Sequence, residues 1–459
     1  MNTKALRQKI LDLAIHGKLV PQDPNDEPAS VLLERIRDEK ERLINEGKIK
    51  RPKKAKATSD KLHYPYELPE GWVWTTIEEL FFVTKLAGFE YTDCLTKDSI
   101  SRNNEVPIVR AQNVRMGSFV ENANEAISEA LSLQLERSAL IKKCLLMTFI
   151  GAGIGDTCIF PALKRCHLAP NVAKIEPYSN EIDLKYALYY LMSDLGQLGV
   201  RGISKSTAQP SLSMATIRSM DLALPPLAEQ YHIVAEIEKW FALIDQIEQS
   251  KADLQTAIKQ AKSKILDLAI HGKLVPQNPN DEPALELLKR INPEFTSCDN
   301  GHYQKLPEGW CETTLKHVIT IKSGYPINVR NCMQGHYPIY GGNGITGYTV
   351  DYNIKEPTIV IGRVGFYCGS VYLVKEKAWV SDNAFTITIH KDIFYKKYLY
   401  YLIQFLNLRK YSNSTAQPVI SGKTIYPIHV IIPPINEQHR IVSKIEEIFA
   451  QLDAIEASL

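Results

Sequence analysis

The longest regular pattern of hydrophobic positions lies in the middle of the chain. After Ile233, apolar residues recur alternately four and three positions apart, interrupted by Lys251 alone: Ile237, Trp240, Ile244, Ile247, Leu254, Ile258, Ala261, Ile265 and Leu268. Such heptad spacing is typical of a helix that packs along another helix. It predicts one continuous helix from about Glu229 to Ile270, roughly 60 Å long at about 1.5 Å per residue, with Gly272 as its C-terminal stop.

The same pattern returns at the C-terminus but covers only half the length. Its positions are Ile441, Ile445, Ile448, Leu452, Ile455 and Leu459. The missing half matches the N-terminus, where Leu6, Ile10 and Leu13 correspond to Ala261, Ile265 and Leu268. We therefore predict that the N-terminal helix completes the C-terminal one. The result would be two long helices that pack antiparallel as a coiled-coil spacer, related by a pseudo-two-fold axis.

The residues expected at this helical interface come from all three segments: Leu6, Ile10, Leu13, Ile237, Ile244, Leu254, Ile258, Ile265, Ile445 and Leu452. The alternative is a set of ordinary amphipathic helices, each buried separately in its own domain. The regularity of the pattern argues against that alternative.

Longer stretches of sequence also occur twice and in the same order. "KILDLAIHGKLVPQDPNDEPA" starts at Lys9 and returns at Lys264, with Asp23 replaced by Asn278. "LPEGW" begins at Leu68 and Leu306, and "STAQP" begins at Ser206 and Ser414. "LPPLAEQ" is echoed by "IPPINEQ". Repeats in conserved order indicate two similar domains in tandem.

Between the repeats the two halves diverge into short β-rich runs bounded by glycine, proline and asparagine. We predict an α+β protein with two tandem mixed α/β domains separated by the long helices. The expected boundaries are 1–33 for an N-terminal helical segment, 62–226 for the first domain, 229–284 for the central helix and its exit turn, 300–434 for the second domain, and 437–459 for a C-terminal helix that pairs with the N-terminal segment.

Composition agrees with a globular protein of two or three domains. The chain has 459 residues, of which 44% are hydrophobic and 23% charged, with a formal net charge of +2 that neither demands nor excludes nucleic acid. Without a long apolar run or a signal sequence, we expect a soluble cytoplasmic protein. The eight cysteines lack metal-binding spacing and are expected to be reduced thiols.

Motifs for covalent chemistry are missing from the sequence. There is no phosphate-binding P-loop and no H-E-x-x-H motif, and "GAGIGD" at 151–156 has the glycine spacing of a tight strand turn. The two Pro-Pro pairs lack the aromatic residue with which adenine methyltransferases hold a flipped base. We therefore expect no catalytic residue, no metal ligand and no cofactor of this chain's own.

The divergent segments do contain side chains suited to DNA. "VRAQNVR" places Arg110, Gln112, Asn113 and Arg115 together, and such groups bind guanine or adenine through paired hydrogen bonds. Phosphate contacts are expected from Lys205 and Lys423, close to the two "STAQP" segments. A glycine-rich turn presents Tyr340 and Asn343, and "IGRVG" adds Arg363. For each residue taken singly, an ordinary polar loop is the alternative interpretation.

Taken together, the repeated motifs and the two heptad helices resemble the specificity subunit of type I restriction-modification enzymes over essentially the whole chain. The resemblance implies a non-catalytic subunit whose two target recognition domains each bind half of a bipartite double-stranded DNA site. It also implies that the helices dock two methylation subunits, which modify adenine, and that restriction subunits join the complex. S-adenosylmethionine, ATP and magnesium would then bind those partners. The competing interpretation is a two-domain adaptor that binds protein ligands.

Overall fold

The long helix expected from the heptad pattern is confirmed as a single helix, Leu227–Ile270, that ends just before Gly272. The computed structural model describes residues 2–51, 66–86, 88–121, 125–202, 211–295, 306–329, 335–390, 393–413 and 418–459. The chain divides into two units, residues 1–249 and 250–459, so the boundary falls within this helix. Each unit therefore combines one strand-rich domain with half of the long helix.

The first unit begins with two helices and continues into the first domain. In the described part of this unit the helices are α1 (Thr3–Ile15), α2 (Ala29–Asn45), α3 (Ile77–Leu80), α4 (Glu129–Gln134), α5 (Leu184–Met192), α6 (Asp194–Gly202), α7 (Met214–Arg218) and the first half of α8 (Leu227–Ile270). The strands are β1 (Val73–Thr76), β2 (Phe81–Lys85), β3 (Val106–Val109), β4 (Val114–Arg115), β5 (Ser118–Phe119), β6 (Ala126–Ile127), β7 (Ala139–Leu140), β8 (Cys144–Thr148), β9 (Thr157–Phe160), β10 (Cys166–Leu168), β11 (Val172–Pro177) and β12 (Asp221–Leu224).

An antiparallel sheet with the order β2-β11-β8-β9 forms the centre of the first domain. A second sheet has the order β6-β3-β10-β7, in which β3 and β10 run parallel. The strand β1 pairs with β12, which joins the start of the domain to its end immediately before α8. Apolar residues of the central sheet, such as Leu145 and Ile175, share one buried core with residues of α1, α2 and α8.

The second unit repeats this plan with its own strands and helices. The described helices are α9 (Ala284–Ile291), α10 (Leu315–Val318), α11 (Lys396–Leu406), α12 (Gly422–Ile425) and α13 (Ile435–Ser458). The strands are β13 (Cys311–Thr314), β14 (Ile319–Ser323), β15 (Tyr337–Gly341), β16 (Gly344–Thr349), β17 (Thr358–Gly362), β18 (Val371–Val374), β19 (Trp379–Val380), β20 (Ala384–Ile389) and β21 (His429–Ile432).

Its central sheet has the order β14-β20-β17-β18, with all pairs antiparallel, and β13 pairs with β21 immediately before α13. Strand for strand this matches the first domain. The remaining sheet, β16-β15-β19, matches β6-β3-β10 of the first domain, because the central strand of each is antiparallel to one neighbour and parallel to the other; among the described residues, β7 extends the sheet only in the first domain. The two domains thus share the arrangement of their strands and differ in the loops that the strands support, in agreement with the prediction of mixed α/β domains.

The repeated motifs of the first unit meet at one buried carboxylate. Glu229 of "PPLAEQ" accepts hydrogen bonds from Trp72 Nε1 of "LPEGW" at 2.8 Å and from Gln22 Nε2 of "KLVPQ" at 3.1 Å. The neighbouring Gln230 donates to the carbonyl of Pro225 at 3.0 Å and accepts from the backbone N–H of Asp183 at 3.1 Å. Burial raises the pKa of Glu229, and the bonds from Gln22 and Trp72 oppose that rise.

The second unit repeats this arrangement, which we call the carboxylate clamp. Glu437 accepts from Trp310 Nε1 at 3.0 Å and from Gln277 Nε2 at 3.2 Å, and burial again raises its pKa. Gln438 donates to the carbonyls of Pro433 and Ile393, each at 3.0 Å. The clamp explains why three separate motifs are written twice: each copy closes its own unit.

A glycine at the end of the preceding helix completes each clamp. Gly17 and Gly272 have φ values of +64° and +66°, which favour glycine at a helix C-terminus. A Cβ atom at these positions would lie 2.3 Å from Pro69 and 2.6 Å from Pro307, the prolines of the two "LPEGW" motifs. Glycine is therefore required both by its backbone conformation and by close packing.

Each half of α8 has an antiparallel helical neighbour within its own unit. In the first unit Arg7 of α1 pairs with Asp245 at 2.6 Å, and Gln22, which follows α1, reaches Glu229 at the start of α8. In the second unit Lys262 pairs with Asp453 of α13 at 2.6 Å. The joining of α1 to α13 as one composite helix, the coiled-coil pair and the pseudo-two-fold axis involve both units and stay predictions.

Burial divides the heptad positions into two rows. Among the predicted interface residues, Ile10, Ile237, Ile244, Ile258 and Ile445 are buried, while Leu6, Leu13, Ile265 and Leu452 are half-buried. Leu254 is different, since 40% of its surface is exposed, and Trp240 and Ile247 on the same row are also exposed. This row is exposed because the neighbouring helix covers only one side of α8. The assignment of Leu254 to a helical or partner interface stays a prediction.

Among the described residues, Cys94, Cys144, Cys158, Cys166, Cys311 and Cys368 are free thiols, as expected. None of the described helices combines the length and the hydrophobicity that a membrane span requires.

Candidate nucleic-acid interface

A hairpin loop lies at one end of the central sheet in the first domain. It joins β8 to β9 through residues 149–156, the segment containing "GAGIGD", so the prediction of a tight turn between strands is confirmed. Gly151 and Gly155 have φ values of +106° and +86°. The N–H of Ile154 donates to Gly151 O at 3.1 Å, and Gly155 N–H closes the loop on Thr148 O at 2.9 Å.

The loop between β17 and β18 in the second domain has the same backbone. Gly365 and Gly369 have φ values of +85° and +86°. The N–H of Cys368 donates to Gly365 O at 2.9 Å, and Gly369 N–H donates to Gly362 O at 2.8 Å. These bonds match those of the first loop one for one.

Both loops are also attached in the same way to the segment after "STAQP". In the first domain Ile150 forms a β-bridge with Ser211, and Leu212 N–H donates to Phe149 O at 2.9 Å. In the second domain Val364 bridges Val419, and Ile420 N–H donates to Arg363 O at 3.0 Å. We call these two structures the domain-one hairpin (149–156) and the domain-two hairpin (363–370).

The predicted base-reading residues of the first domain lie on a short turn beside the domain-one hairpin. The following strands β4 and β5 pack against β9, the strand that leaves the hairpin, and Gly117 N–H donates to Thr157 O at 2.8 Å. Gln112 and Arg115 are exposed. Burial raises the pKa of Asp156 at the end of the hairpin, and the positive charge of Arg115 opposes that rise. Arg115 is therefore positioned near the hairpin.

The other two residues of this group have partners within the protein. Arg110 Nε donates to the carboxylate of Glu125 at 2.5 Å. Asn113 is only 2% exposed; its Oδ1 accepts from the N–H of Arg110 at 2.9 Å, and its Nδ2 donates to Val120 O at 2.8 Å. The structure thus shows a structural role for Asn113 and a paired charge for Arg110. Contact of either residue with DNA stays a prediction.

Three predicted residues of the second domain gather around the base of the domain-two hairpin. The rings of Tyr340 and Tyr372 lie 6.3 Å apart, and a Cβ at Gly342 would lie 2.8 Å from the carbonyl oxygen of Val364. Asn343, in the same turn as Gly342, is exposed.

Arg363 is the first residue of the domain-two hairpin. Its guanidinium lies 5.4 Å from the centre of the Phe385 ring, and Nη1 contacts Asp382 O at 3.5 Å. The buried Nε has no acceptor among the described residues. Arg363 is thus half-buried at the base of the hairpin, with part of its hydrogen-bonding capacity unused.

The remaining two predicted residues belong to the "STAQP" regions. Lys423 is exposed on α12, a helix that contacts the turn Leu408–Tyr411. The turn Leu408–Tyr411 itself packs against the domain-two hairpin, since a Cβ at Gly369 would lie 2.4 Å from the backbone N of Arg409. Lys205 lies outside the described residues, as do residues 206–210 and 414–417 of the "STAQP" segments.

Two segments that contribute to or contact the domain-two hairpin contain basic but no acidic residues, although Asp382 also lies at the base of the hairpin, where its carbonyl contacts Arg363. Residues 357–374, which contain β17, the hairpin and β18, include no aspartate or glutamate. The segment 393–436 also has no acidic residue, and its basic residues are Lys396, Lys397, Arg409, Lys410 and Lys423. Such a surface attracts phosphate groups without itself selecting a sequence.

Sequence reasoning missed two exposed aromatic side chains of this region, Phe366 and Tyr367. They occupy the tip of the domain-two hairpin and are 68% and 46% exposed. An alignment of "GAGIG" with "GFYCG" would have identified them, because in both segments two glycines lie four positions apart and the two tip residues after the first glycine differ. Among the described residues, no group of three or more His, Cys, Asp or Glu side chains is placed to hold a metal ion.

Comparison with known proteins identifies relatives for both units. The family model described as "Type I restriction modification DNA specificity domain" matches residues 69–256 and 307–459. The EcoAI specificity subunit of a type I restriction enzyme from Escherichia coli is 27% identical, over 97% of this chain and 88% of its own length. The EcoEI specificity subunit from the same species is 26% identical, over 99% of this chain and 90% of its own length.

A solved structure shares the fold at low sequence identity. A chain from a structure described as the structural basis of complex assembly and conformational transition of the type I R-M system is 16% identical. It superposes with a TM-score of 0.61 over 86% of this chain and 94% of its own length. The match therefore extends to both units.

Proposed function

The chain belongs to the type I restriction modification DNA specificity family, and from this we propose that it selects the DNA target of a type I restriction-modification complex. As in its named relatives, it is a non-catalytic subunit of such a system. We propose that each domain binds one half of a bipartite double-stranded target. This proposal is supported by one observation: the two domains have the same order of strands in their central sheets and the same carboxylate clamp, but different loops.

Phosphate contacts would come from basic residues near the domain-two hairpin, such as Arg409, and from Lys205 and Lys423. Gln112 and Arg115 in the first domain, and Asn343 in the second, are exposed and chemically able to reach base edges. Arg363 and Tyr340 would support the domain-two hairpin from its base. Specificity would thus arise from loops that a rigid scaffold positions.

The helices would set the distance between the half-sites. In this proposal α1 and α13 together form a composite helix antiparallel to α8, with pseudo-two-fold symmetry. Half-sites read from one face of DNA lie about 34 Å apart, or one turn of the duplex. The exposed row of Trp240, Ile247 and Leu254 would contribute to docking two methylation subunits, because exposed apolar rows mark protein interfaces.

The chemical steps would belong to the partners. The methylation subunits would bind S-adenosylmethionine and modify adenine, and restriction subunits would use ATP and magnesium to cleave DNA. The chain would act in the cytoplasm, where the host DNA is accessible to the whole complex.

Exchange of one domain tests the bipartite proposal. The chain would be co-expressed with the methylation subunits of its system, and methylated adenines would be mapped across the genome. Replacing residues 62–226 by the equivalent domain of a relative should change one half-site and leave the other half-site unchanged. A change in both halves, or in neither, would contradict the assignment of one domain to each half-site.

The competing function, a two-domain adaptor for protein ligands, makes a different prediction about salt. Binding to DNA releases counterions, so affinity should fall steeply and linearly on a double-logarithmic plot against salt concentration. Titration of the complex with duplex DNA at several salt concentrations separates the two functions. Failure to bind duplex DNA even at low salt would favour the adaptor.

A further inference from the structure

The two hairpins share one backbone but carry different tips. When the two hairpins are aligned by their glycines, Ala152 and Gly153 of the first domain are equivalent to Phe366 and Tyr367 of the second. The same two backbone positions thus present almost no side chain in one domain and two aromatic rings in the other. Conserved backbone with exchanged tip residues is what a recognition element requires when two half-sites differ.

The aromatic tip is held in place by its neighbours. The guanidinium of Arg409 lies 4.6 Å from the centre of the Phe366 ring, and the rings of Phe366 and Tyr367 meet edge to face at 5.1 Å. The backbone of Arg409 also packs against Gly369, which fixes the turn Leu408–Tyr411 to the hairpin. The tip therefore projects from a scaffold that is tied down at two points.

Exposure and charge together indicate what the tip contacts. A phenylalanine that is 68% exposed buries only a small part of its apolar surface within the chain, so much of its ring is available to an external partner. The segments 357–374 and 393–436 contain no acidic residue, and Arg363 and Arg409 lie at the hairpin, while Asp382 contacts Arg363 at its base. Lys423 lies on α12, which contacts the turn that carries Arg409. A partner that offers both negative charge and flat apolar faces or methyl groups fits this surface, and duplex DNA offers both.

We propose that the tip residues Phe366 and Tyr367 contact the bases of the half-site bound by the second domain, with Arg409 holding the Phe366 ring. This inference rests on the proposed function and assigns the recognition element within it. The tip residues Ala152 and Gly153 would let the backbone of the domain-one hairpin approach its half-site more closely, with Gln112 and Arg115 nearby to supply side-chain contacts.

The test replaces the tip residues of the domain-two hairpin by those of the domain-one hairpin. The double variant Phe366→Ala with Tyr367→Gly gives the second domain the tip of the first, whose backbone already accepts these residues. Loss of the contacts to one base pair of a specific duplex site commonly weakens binding about tenfold, so we expect binding of the methylation complex to its own duplex target to weaken by about that factor or more. Binding to unrelated duplex DNA and its dependence on salt should be unchanged.

Mapping of methylated adenines provides the second measurement. The variant should tolerate additional sequences in the half-site of the second domain and keep the half-site of the first domain. Tyr348→Ala is the matched control, because Tyr348 is 54% exposed on β16, at the end of that strand away from the domain-two hairpin. It should leave both affinity and specificity unchanged.

Each outcome has a distinct meaning. If the unaltered complex methylates no defined sequence, the proposed function itself fails. If that complex is specific but the tip variant shows the same affinity and the same methylated sites, the tip does not read DNA. Loss of co-purification with the methylation subunits would make the tip a protein contact and would also overturn the inference. Should the double variant fold poorly, Phe366→Ala alone, measured against Tyr348→Ala, decides by the same criteria.

Discussion

Replacement of Glu437 by alanine tests whether the carboxylate clamp holds the repeated motifs together. Glu437 is 1% exposed and accepts hydrogen bonds from Trp310 at 3.0 Å and Gln277 at 3.2 Å. Alanine leaves the buried indole N–H of Trp310 without an acceptor, and an unsatisfied buried donor costs about 1–3 kcal/mol. The lost bond to Gln277 contributes less, because Gln277 is exposed and water can replace the carboxylate.

Two further effects act in opposite directions. The carboxylate lies in the first turn of α13, where the helix dipole stabilises a negative charge by about 0.3–1 kcal/mol. Burial raises the pKa of Glu437 and so penalises its charged form. We expect Glu437→Ala to lower the free energy of unfolding by about 2 kcal/mol. Glu437→Gln keeps an oxygen acceptor for Trp310, so its loss should stay below about 1 kcal/mol.

Chemical denaturation of the full chain, followed by tryptophan fluorescence, measures these differences. Glu447→Ala is the control, because Glu447 lies on the same helix in an exposed ion pair with Lys444 at 2.9 Å, and such pairs contribute about 0–1 kcal/mol. Equal losses for Glu437→Ala and Glu447→Ala, or for Glu437→Ala and Glu437→Gln, would refute the reasoning. Glu229→Ala repeats the experiment in the first unit.

Three further predictions concern pH, backbone conformation and helix length. Burial raises the pKa of Glu437 above its ordinary value of 4.5, so the folded chain binds this proton more tightly than the unfolded chain. The resulting stabilisation is complete below pH 4.5 and is lost as the pH rises through the pKa of Glu437 in the folded chain. Chemical denaturation from about pH 4.5 to about pH 7 should therefore show that the unaltered chain loses stability relative to Glu437→Gln. A difference in the free energy of unfolding that stays constant over this range would contradict the prediction. Gly272→Ala should lower the thermal midpoint more than Gly47→Ala, because both glycines have positive φ but only a Cβ at Gly272 meets a neighbour within 3 Å; equal shifts would argue against close packing as the cause. Four helix-favouring residues inserted between Gln249 and Ser250 would lengthen α8 by about 6 Å. The insertion lies between the contact of Glu248 with α1 and that of Lys251 with Leu459. It should lengthen the methylated target by about one or two base pairs, and an unchanged target length would count against the proposal that the helices set the distance between the half-sites.

Much of the frame could be predicted because it is encoded locally. The three-four spacing of apolar residues defined α8, and Gly272 marked its end, since helix periodicity and termination depend on neighbouring residues. The duplicated motifs revealed two equivalent domains. Their meeting at Glu229 and at Glu437 could not be predicted, because Gln22 and Trp72 lie far from Glu229 in sequence and only folding brings them together.

The candidate interface shows where sequence reasoning stops. Arg110 and Asn113 have the chemistry of base-reading residues, yet Glu125 pairs with the first, and the turn itself uses the amide of the second. Such partners depend on the path of the chain. Phe366 was overlooked for the opposite reason, since one aromatic residue between glycines carries no periodic signal until the two hairpins are compared in space.

We propose that this chain selects the DNA sequence that its complex methylates. Mapping of methylated adenines in cells that contain the methylation subunits, with and without this chain, tests this proposal most directly. We predict that one bipartite sequence is methylated throughout the genome when the chain is present and loses that methylation when it is removed. An identical methylation pattern in both cells would contradict the proposal.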